Sequence, residues 1–416
     1  MQADKKRGPP GANYPWSLIA LLWVVAFLNA ADRSVIVAVM PNIRAEYGLS
    51  GNQLALISSV FFWVYAAAAL FTGRLGDSAR RTRVVLYGLA FWSVATGLIP
   101  LVSGFAMLLG ARAIVAAGES TYYPTATALI GDWHKPATRS RALSLHQTAV
   151  FAGSGLGALL AGALADHFGW RMPFLVFAVA GLLWVAVLYR TLQDAPIVHT
   201  AAEAGKGNEP YGVVLRIKPA VMLFVVFFLA NGVANGITVW APTFVHDMLG
   251  ESLTGSAFYG SASINIAGFV AVPLGGLLAD TLARRNPVGR FYTLAIGLTV
   301  AALMLLPMLW ARSGAMVGMV LIATTLGKGL FDGCIYAAMQ DVVPPSARST
   351  AVGLMTTCGF IGAGFAPLVI SVLSKTLGMA GAFASFGALY AIAVLILLAT
   401  RESTRAAVIA NQQQVQ

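Results

Sequence analysis

The chain has 416 residues, 58% of them hydrophobic and only 10% charged, and a formal net charge of +11. A soluble domain carries about a quarter charged residues, so this composition, with a mean hydropathy of +0.76, excludes a soluble globule. The apolar runs are long and continuous rather than short and alternating, which excludes a β-barrel and leaves membrane-spanning helices.

A spanning helix needs roughly 20 apolar residues. Twelve such runs are predicted, at 16–40, 52–75, 83–103, 105–131, 141–165, 171–190, 220–247, 256–280, 290–311, 314–341, 348–374 and 379–400. The first continues well past the length of a signal-peptide core and has no small-residue cleavage site, so it is read as a retained span. Twenty Lys and Arg lie before the first span or after even-numbered ones, beginning with Lys5, Lys6 and Arg7. The opposite side has only Arg44, Arg171, Arg312 and Lys375. The positive-inside rule therefore predicts both termini in the cytoplasm of an inner or plasma membrane. The basic balance is topology, and no nucleic-acid partner is expected. Cys334 and Cys358 both fall within predicted helices, so neither a disulfide nor a metal framework is expected.

The chain repeats itself. Phe27-Leu28 through Met40-Pro41 matches Phe228-Leu229 through Ala241-Pro242 at an offset of 201. Gly73, Asp77 and Arg81 match Gly276, Asp280 and Arg284; Asp132, Pro136, Arg139 and Ala142 match Asp341, Pro345, Arg348 and Ala351 at an offset of 209. Two parallel repeats related by an axis along the membrane normal follow. The expected organisation is an N-terminal six-helix bundle (1–190), a cytoplasmic linker (191–219), a C-terminal six-helix bundle (220–400) and a cytoplasmic tail (401–416).

Six ionisable residues lie inside the spans: Asp32, Arg33, Arg112, Glu119, Lys328 and Asp332. A charge at the bilayer centre costs at least about 2.5 kcal/mol, and such residues mark substrate or proton pathways. Arg112 and Glu119 are seven apart, two turns along nearly one helical stripe, and Asn29 is one turn before Arg33. Desolvation raises a carboxyl pKa and a nearby cation lowers it, so Asp32 and Glu119 are expected as proton sites. Arginine pairs bidentately with carboxylates, which makes Arg33 and Arg112 the expected ligands of a substrate anion. Lys328, at Glu119's position under the 209 offset, can pair with Asp332 one turn on, as a local neutral pair or as a second substrate contact. Tyr65, Tyr123, His146 and Asn235 are further candidates to orient a polar substrate, with Tyr122, Gln147, Asn231, Trp240 and Asn265 weaker ones. Gly153-Ser-Gly-Leu-Gly157 has no preceding strand; it is read as a helix-contact motif rather than a dinucleotide loop. No enzyme and no cofactor are expected.

On these residues the chain resembles the major facilitator superfamily over nearly its whole length. Gly73, Asp77 and Arg81 resemble that family's cytoplasmic loop signature, with Arg80 where a second glycine is usual. The resemblance implies twelve helices in two pseudo-symmetric six-helix bundles, working by alternating access. It also implies a conformational latch at Gly73, Asp77, Arg81, Asp280 and Arg284. Asn29, Asp32 and Arg33 with Arg112 and Glu119 resemble the organic-anion:cation symporter branch, which carries sugar acids and other carboxylates. Gly118 through Asp132, Arg139 through Ser144, Gly153 through Gly157 and Gly169-Trp170-Arg171 resemble the Spinster-like branch. The expected function is proton-coupled symport of a small organic anion by a monomer. The alternatives are a Spinster-like carrier of lysophospholipid or another amphiphile, and a membrane sensor without net transport.

Overall fold

The computed structural model describes residues 13–195, 210–251, 255, 256 and 258–415. Lys5, Lys6, Arg7 and residues 196–209 of the expected linker lie outside the described residues. In the N-terminal half the helices are α1 (Tyr14–Ala38), α2 (Met40–Tyr47), α3 (Gly51–Ser78), α4 (Arg81–Leu98), α5 (Phe105–Glu119), α6 (Tyr122–Trp133), α7 (Arg139–Phe168) and α8 (Met172–Thr191). The C-terminal half has α9 (Pro210–Arg216), α10 (Lys218–Thr243), α11 (Ser263–Arg285), α12 (Gly289–Leu305), α13 (Gly314–Asp332), α14 (Ile335–Val342), α15 (Arg348–Ala399) and α16 (Arg401–Val415).

Ten of the described helical stretches are long and apolar enough to cross a membrane. Two differences from the predicted spans restore twelve crossings. The fourth span is not one helix: it breaks after Glu119 into α5 and α6. The eleventh and twelfth run together as α15 and part at Gly378, whose φ of 69° is costly for any residue with a Cβ. The expected tail is itself helical, as α16.

The tenth span breaks as the fourth does, and with the same hydrogen bonds. Ser120 N donates to Ala116 O and Thr121 N to Gly118 O; Gly333 N donates to Gly329 O and Cys334 N to Phe331 O. The two sets of bonds correspond one for one at an offset of 213. This corrects the sequence alignment: Asp332, rather than Lys328, stands where Glu119 stands.

Each half packs through small residues. A Cβ on Gly153 or Gly157 would lie 2.4 Å from Phe27 O or 2.6 Å from Ala31 Cα, so α7 touches the backbone of α1. The halves meet along α3–α15 and α7–α11. Gly73 lies against the backbone of Gly353, and Gly276 against Ser144. These close approaches run from the middle of the bundle to the end that bears most of the basic residues.

Candidate functional site

Arg33, on α1, donates from Nε to Glu119 Oε2 at 2.9 Å and from Nη2 to Asn29 Oδ1 at 2.5 Å. Its guanidinium lies 5.4 Å from the ring centre of Phe61, 4.9 Å from that of Tyr65 and 5.9 Å from that of Phe360. Cations over aromatic faces are held by the ring quadrupole. Tyr65 and Phe360 stack at 4.5 Å and 10°. Because Phe360 belongs to the C-terminal half, the box around Arg33 is completed across the interface between halves.

Arg112 lies 4.5 Å over the other part of this wall, Phe61, and Asp32 accepts from Thr96 Oγ1 at 3.3 Å. Asp32, Arg112 and Glu119 are all buried, Glu119 completely. The two acids and two bases balance in charge, yet their hydrogen bonding is incomplete: Asp32 Oδ1, Arg112 Nε, Glu119 Oε1 and Asn29 Nδ2 are buried with no partner. Burying polar atoms unpaired costs about 1–3 kcal/mol each. These atoms can take further partners, or bond with each other in another conformation.

The other candidates sort by their partners. Tyr123 donates to Gln147 Oε1 at 2.5 Å, and its ring meets Tyr336 of the other half at 5.6 Å. Tyr122 donates to Leu22 O, so His146 Nε2, 2.8 Å from the same phenol oxygen, carries the imidazole proton, leaving His146 Nδ1 a buried acceptor without a partner. Asn235 Nδ2 donates to Ala363 O at 2.7 Å and Trp240 Nε1 to Pro367 O at 3.0 Å. Both are bonds between helices of one half. Asn265 Nδ2 donates to Ser261 O, four residues earlier in the chain, at 3.2 Å. Lys328 Nζ and Asp332 Oδ1 are paired at 2.5 Å, with Lys328 5.0 Å over Phe331.

At the basic end, Asp77 reaches across from α3 to the start of α15: Ser349 N and Thr350 N donate to its two oxygens at 3.0 and 2.7 Å. A carboxylate at a helix N-terminus satisfies orphan N–H groups and the positive end of the dipole. Arg81 holds Asp77 at 2.9 Å, pairs with Asp132 and donates to Pro345 O at 3.1 Å. Arg348 reaches Asp132 from the other half at 2.9 Å.

The second half repeats every contact. Ser140 N and Arg141 N donate to Asp280 at 3.1 and 3.0 Å. Arg290 holds Asp280 at 3.0 Å, pairs with Asp341 at 2.5 Å and donates to Pro136 O. Arg139 reaches Asp341 at 3.1 Å. Arg284, expected in this role, is exposed and makes no ion pair among the described residues. Because α11 runs on to Arg285, Arg284 lies a turn beyond the cluster, whereas α3 ends at Ser78 and the chain brings Arg81 back onto Asp77. Arg290 is Arg81 displaced by 209, the offset already visible in Asp132 and Asp341. Applied to Arg81, it would have found Arg290.

The far end is tied separately. Arg171 Nη1 and Nη2 fork onto Glu46 at 2.9 and 2.5 Å, and Trp170 Nε1 donates to the same carboxylate at 2.6 Å. These bonds hold the Glu46 carboxyl down to about 2. A concavity of about 610 Å³ also opens at this end, lined by Val37, Met40, Arg44 and Leu54 among others, away from Asp32, Arg33, Arg112 and Glu119.

Two bundles related by duplication, with broken fourth and tenth spans, carry paired ionic clusters at one end, and the sequence profile of the Major Facilitator Superfamily matches residues 22–367 and 288–415. The chain belongs to this superfamily. It is 24% identical to the hexuronate transporter of Bacillus subtilis (strain 168) over 406 residues, covering 92% of this chain and 93% of that protein. It is 27% identical to the probable anion transporter 1, chloroplastic, of Oryza sativa subsp. japonica over 372 residues, covering 84% and 69%. Protein spinster homolog 1 of Bos taurus is 29% identical over 390 residues, covering 86% and 73%. Among solved structures, the human organic anion transporter MFSD10 (TETRAN) matches with a TM-score of 0.74 at 18% identity, covering 94% of this chain and all (100%) of that one. A bacterial homolog of the human lysosomal transporter Spinster, inward-facing and occupied, matches with a TM-score of 0.64 at 19% identity, covering 95% and 98%. The facilitator fold and a non-enzymatic transport role follow.

Proposed function

We propose that this facilitator is a proton-coupled symporter of a small organic anion, a sugar acid or another carboxylate. The observation that carries the reading is the Arg33–Glu119 bond within a set of four charges, three of them buried, in which Asp32 Oδ1, Arg112 Nε and Glu119 Oε1 lack partners. An ionised Glu119 occupies Arg33. Protonation of Glu119 by a proton from the bulk solution, delivered through water in the opened cavity, removes that competitor, and a substrate carboxylate then takes the Arg33 fork, with Arg112 as the second cation. Asp32, beside Arg112 and Glu119, is the second proton site. The Asp77–Arg81 and Asp280–Arg290 clusters act as the latch that closes the basic end, which the positive-inside rule assigns to the cytoplasm of the inner membrane. The chain works as a monomer, since each half supplies the other's latch partners.

Counterflow in proteoliposomes, over a panel of carboxylates and lysolipids and repeated with a pH gradient, tests this. Carboxylate uptake should rise with the gradient and lose that response in Glu119→Gln. Uptake indifferent to the gradient, with Glu119→Gln behaving as wild type, would sink proton coupling; unimpaired transport by Arg112→Ala would remove the anion clamp. A second reading, carriage of an amphiphile, is favoured by the apolar concavity with Arg44 at its wall and by similarity to the spinster homolog. Lysolipid counterflow without carboxylate counterflow would select it.

A further inference from the structure

Of the four charges in the site, Arg33 alone is not buried; its side chain is 25% exposed. An exposed route to it runs outward along α1. Val39 joins α1 to α2 without interrupting the ladder: Val39 N donates to Val35 O and Ile43 N to Val39 O, both at 3.1 Å. Steps of four, three and four residues along this nearly continuous helix put Arg33, Val37, Met40 and Arg44 on one stripe. Val37 is 64% exposed and Arg44 is exposed, whereas Val35, Ile36, Val39 and Ile43 on the other faces are buried. The concavity of about 610 Å³ is lined by this stripe from Val37 to Arg44, with Leu49 and Leu54 beside it. Its lining ends one turn short of Arg33. A hollow of this volume accommodates a small molecule.

Arg44 makes no ion pair among the described residues. The acid nearest to it on α2, Glu46, is taken by the Arg171 fork and by Trp170. Positive charge is scarce at this end: besides Arg44 and Arg171 it has only Arg312 and Lys375, which line no part of the concavity. A place in the last turn of α2 suits a cation to the helix dipole. That explains a cation on α2, but not its position on the stripe that leads to Arg33.

We infer that Arg44 and this hollow form an outer docking site for the transported anion, a small soluble carboxylate, captured about 16 Å of helix before it reaches Arg33. The stripe has a cation at each end, and the inner one is a fork that matches a carboxylate. Val37 and Met40 between them offer an anion no hydrogen-bond donor, so nothing on the stripe holds it short of Arg33. A charge in a hollow with low-dielectric walls concentrates counter-ions and speeds their arrival. Arg44 therefore acts on capture rather than on the transport step. The inference rests on the organic-anion reading above, but one arm of its test needs no substrate.

In a background lacking Cys334 and Cys358, Val37→Cys places a thiol in the hollow, two turns from Arg44. Anionic sulfonatoethyl and cationic trimethylammonioethyl methanethiosulfonates report the potential at that thiol. Adding Arg44→Gln should lower the anionic-to-cationic rate ratio roughly fourfold at low salt, the effect of one charge about 10 Å away in water, and less at high salt. Because Arg44 is exposed, its replacement leaves the fold in place. In proteoliposomes, Arg44→Gln should raise KM for external carboxylate by at least a similar factor, keep the maximal rate, and flatten the salt dependence of uptake; Arg44→Lys should restore both. Carboxylate uptake with the rate ratio or KM unmoved by Arg44→Gln refutes the docking site alone. A wild type that carries lysolipid but no carboxylate refutes the organic-anion reading, and the soluble occupant falls with it, whatever the rate ratio does.

Discussion

Replacing Asp77 by Ala removes an interaction that exists only while the basic end is closed, because the carboxylate belongs to α3 and the N–H groups it caps belong to the opposite half. Two hydrogen bonds to a charged acceptor contribute about 1.5–3 kcal/mol each, and loss of a helix cap alone costs about 0.5–2 kcal/mol. In the open state the carboxylate is rehydrated and recovers part of this. A net shift of about 2–3 kcal/mol toward the open basic end remains, roughly a 30- to 150-fold change in the equilibrium between the two states. Spin labels at Arg83→Cys and Arg284→Cys, both exposed and on opposite halves, in a background lacking Cys334 and Cys358, measure the populations by pulsed distance spectroscopy. The long-distance population should dominate in Asp77→Ala and be intermediate in Asp77→Asn, which keeps an acceptor oxygen without the charge. A distance distribution unchanged from the parent would refute the latch reasoning.

Arg290→Ala, by removing the cation that Asp280 and Asp341 share, should shift the same distances in the same direction by a comparable amount, while Arg284→Ala should leave transport unchanged. At the far end, the Glu46 carboxyl is held down to about 2 by Arg171 and Trp170, so the stabilisation it gives is complete above the ordinary glutamate range, about 4.3, and is lost as pH falls through about 2. Both side chains are more than a third exposed, so solvent screening limits the effect of Arg171→Ala on thermal stability to about 1 kcal/mol or less at neutral pH, and the difference from wild type should vanish in acid. Asn411 Nδ2 lies 3.3, 3.0 and 3.0 Å from the carbonyls of Gln340, Asp341 and Val343, at the end of α14. Asn411→Ala should cost about 1–2 kcal/mol and speed proteolysis of α16.

Hydropathy made the spans legible, and the duplication made the two halves legible, because both are written in residue type and spacing alone. The N-terminal charges were equally plain, since an ionisable residue in an apolar run announces itself. The break after Asp332 was not, because the apolar run continues through it without proline; the break after Glu119 had a signal in Pro124, which cannot donate to the carbonyl of Ser120. Arg290 escaped because the second loop is six residues longer than the first: four residues separate Asp77 from Arg81, but ten separate Asp280 from Arg290. Matching by motif spacing landed on Arg284, while the offset outside the loop pointed correctly. Phe360 carried no signal at all. An apolar residue in an apolar helix acquires its role only when the other half brings Arg33 and Tyr65 beneath it.

Tyr123 and Tyr336 correspond to one another at the offset of 213 and touch each other. A residue that contacts its own duplicate stands beside the axis relating the two halves. Elsewhere the copies were free to part company, as the arginine on a neighbouring helix beside Glu119 and the lysine in the same helix beside Asp332 attest. At the axis there is no separate neighbourhood in which one copy can change: each tyrosine is the other's surroundings. A single substitution here perturbs both halves at once.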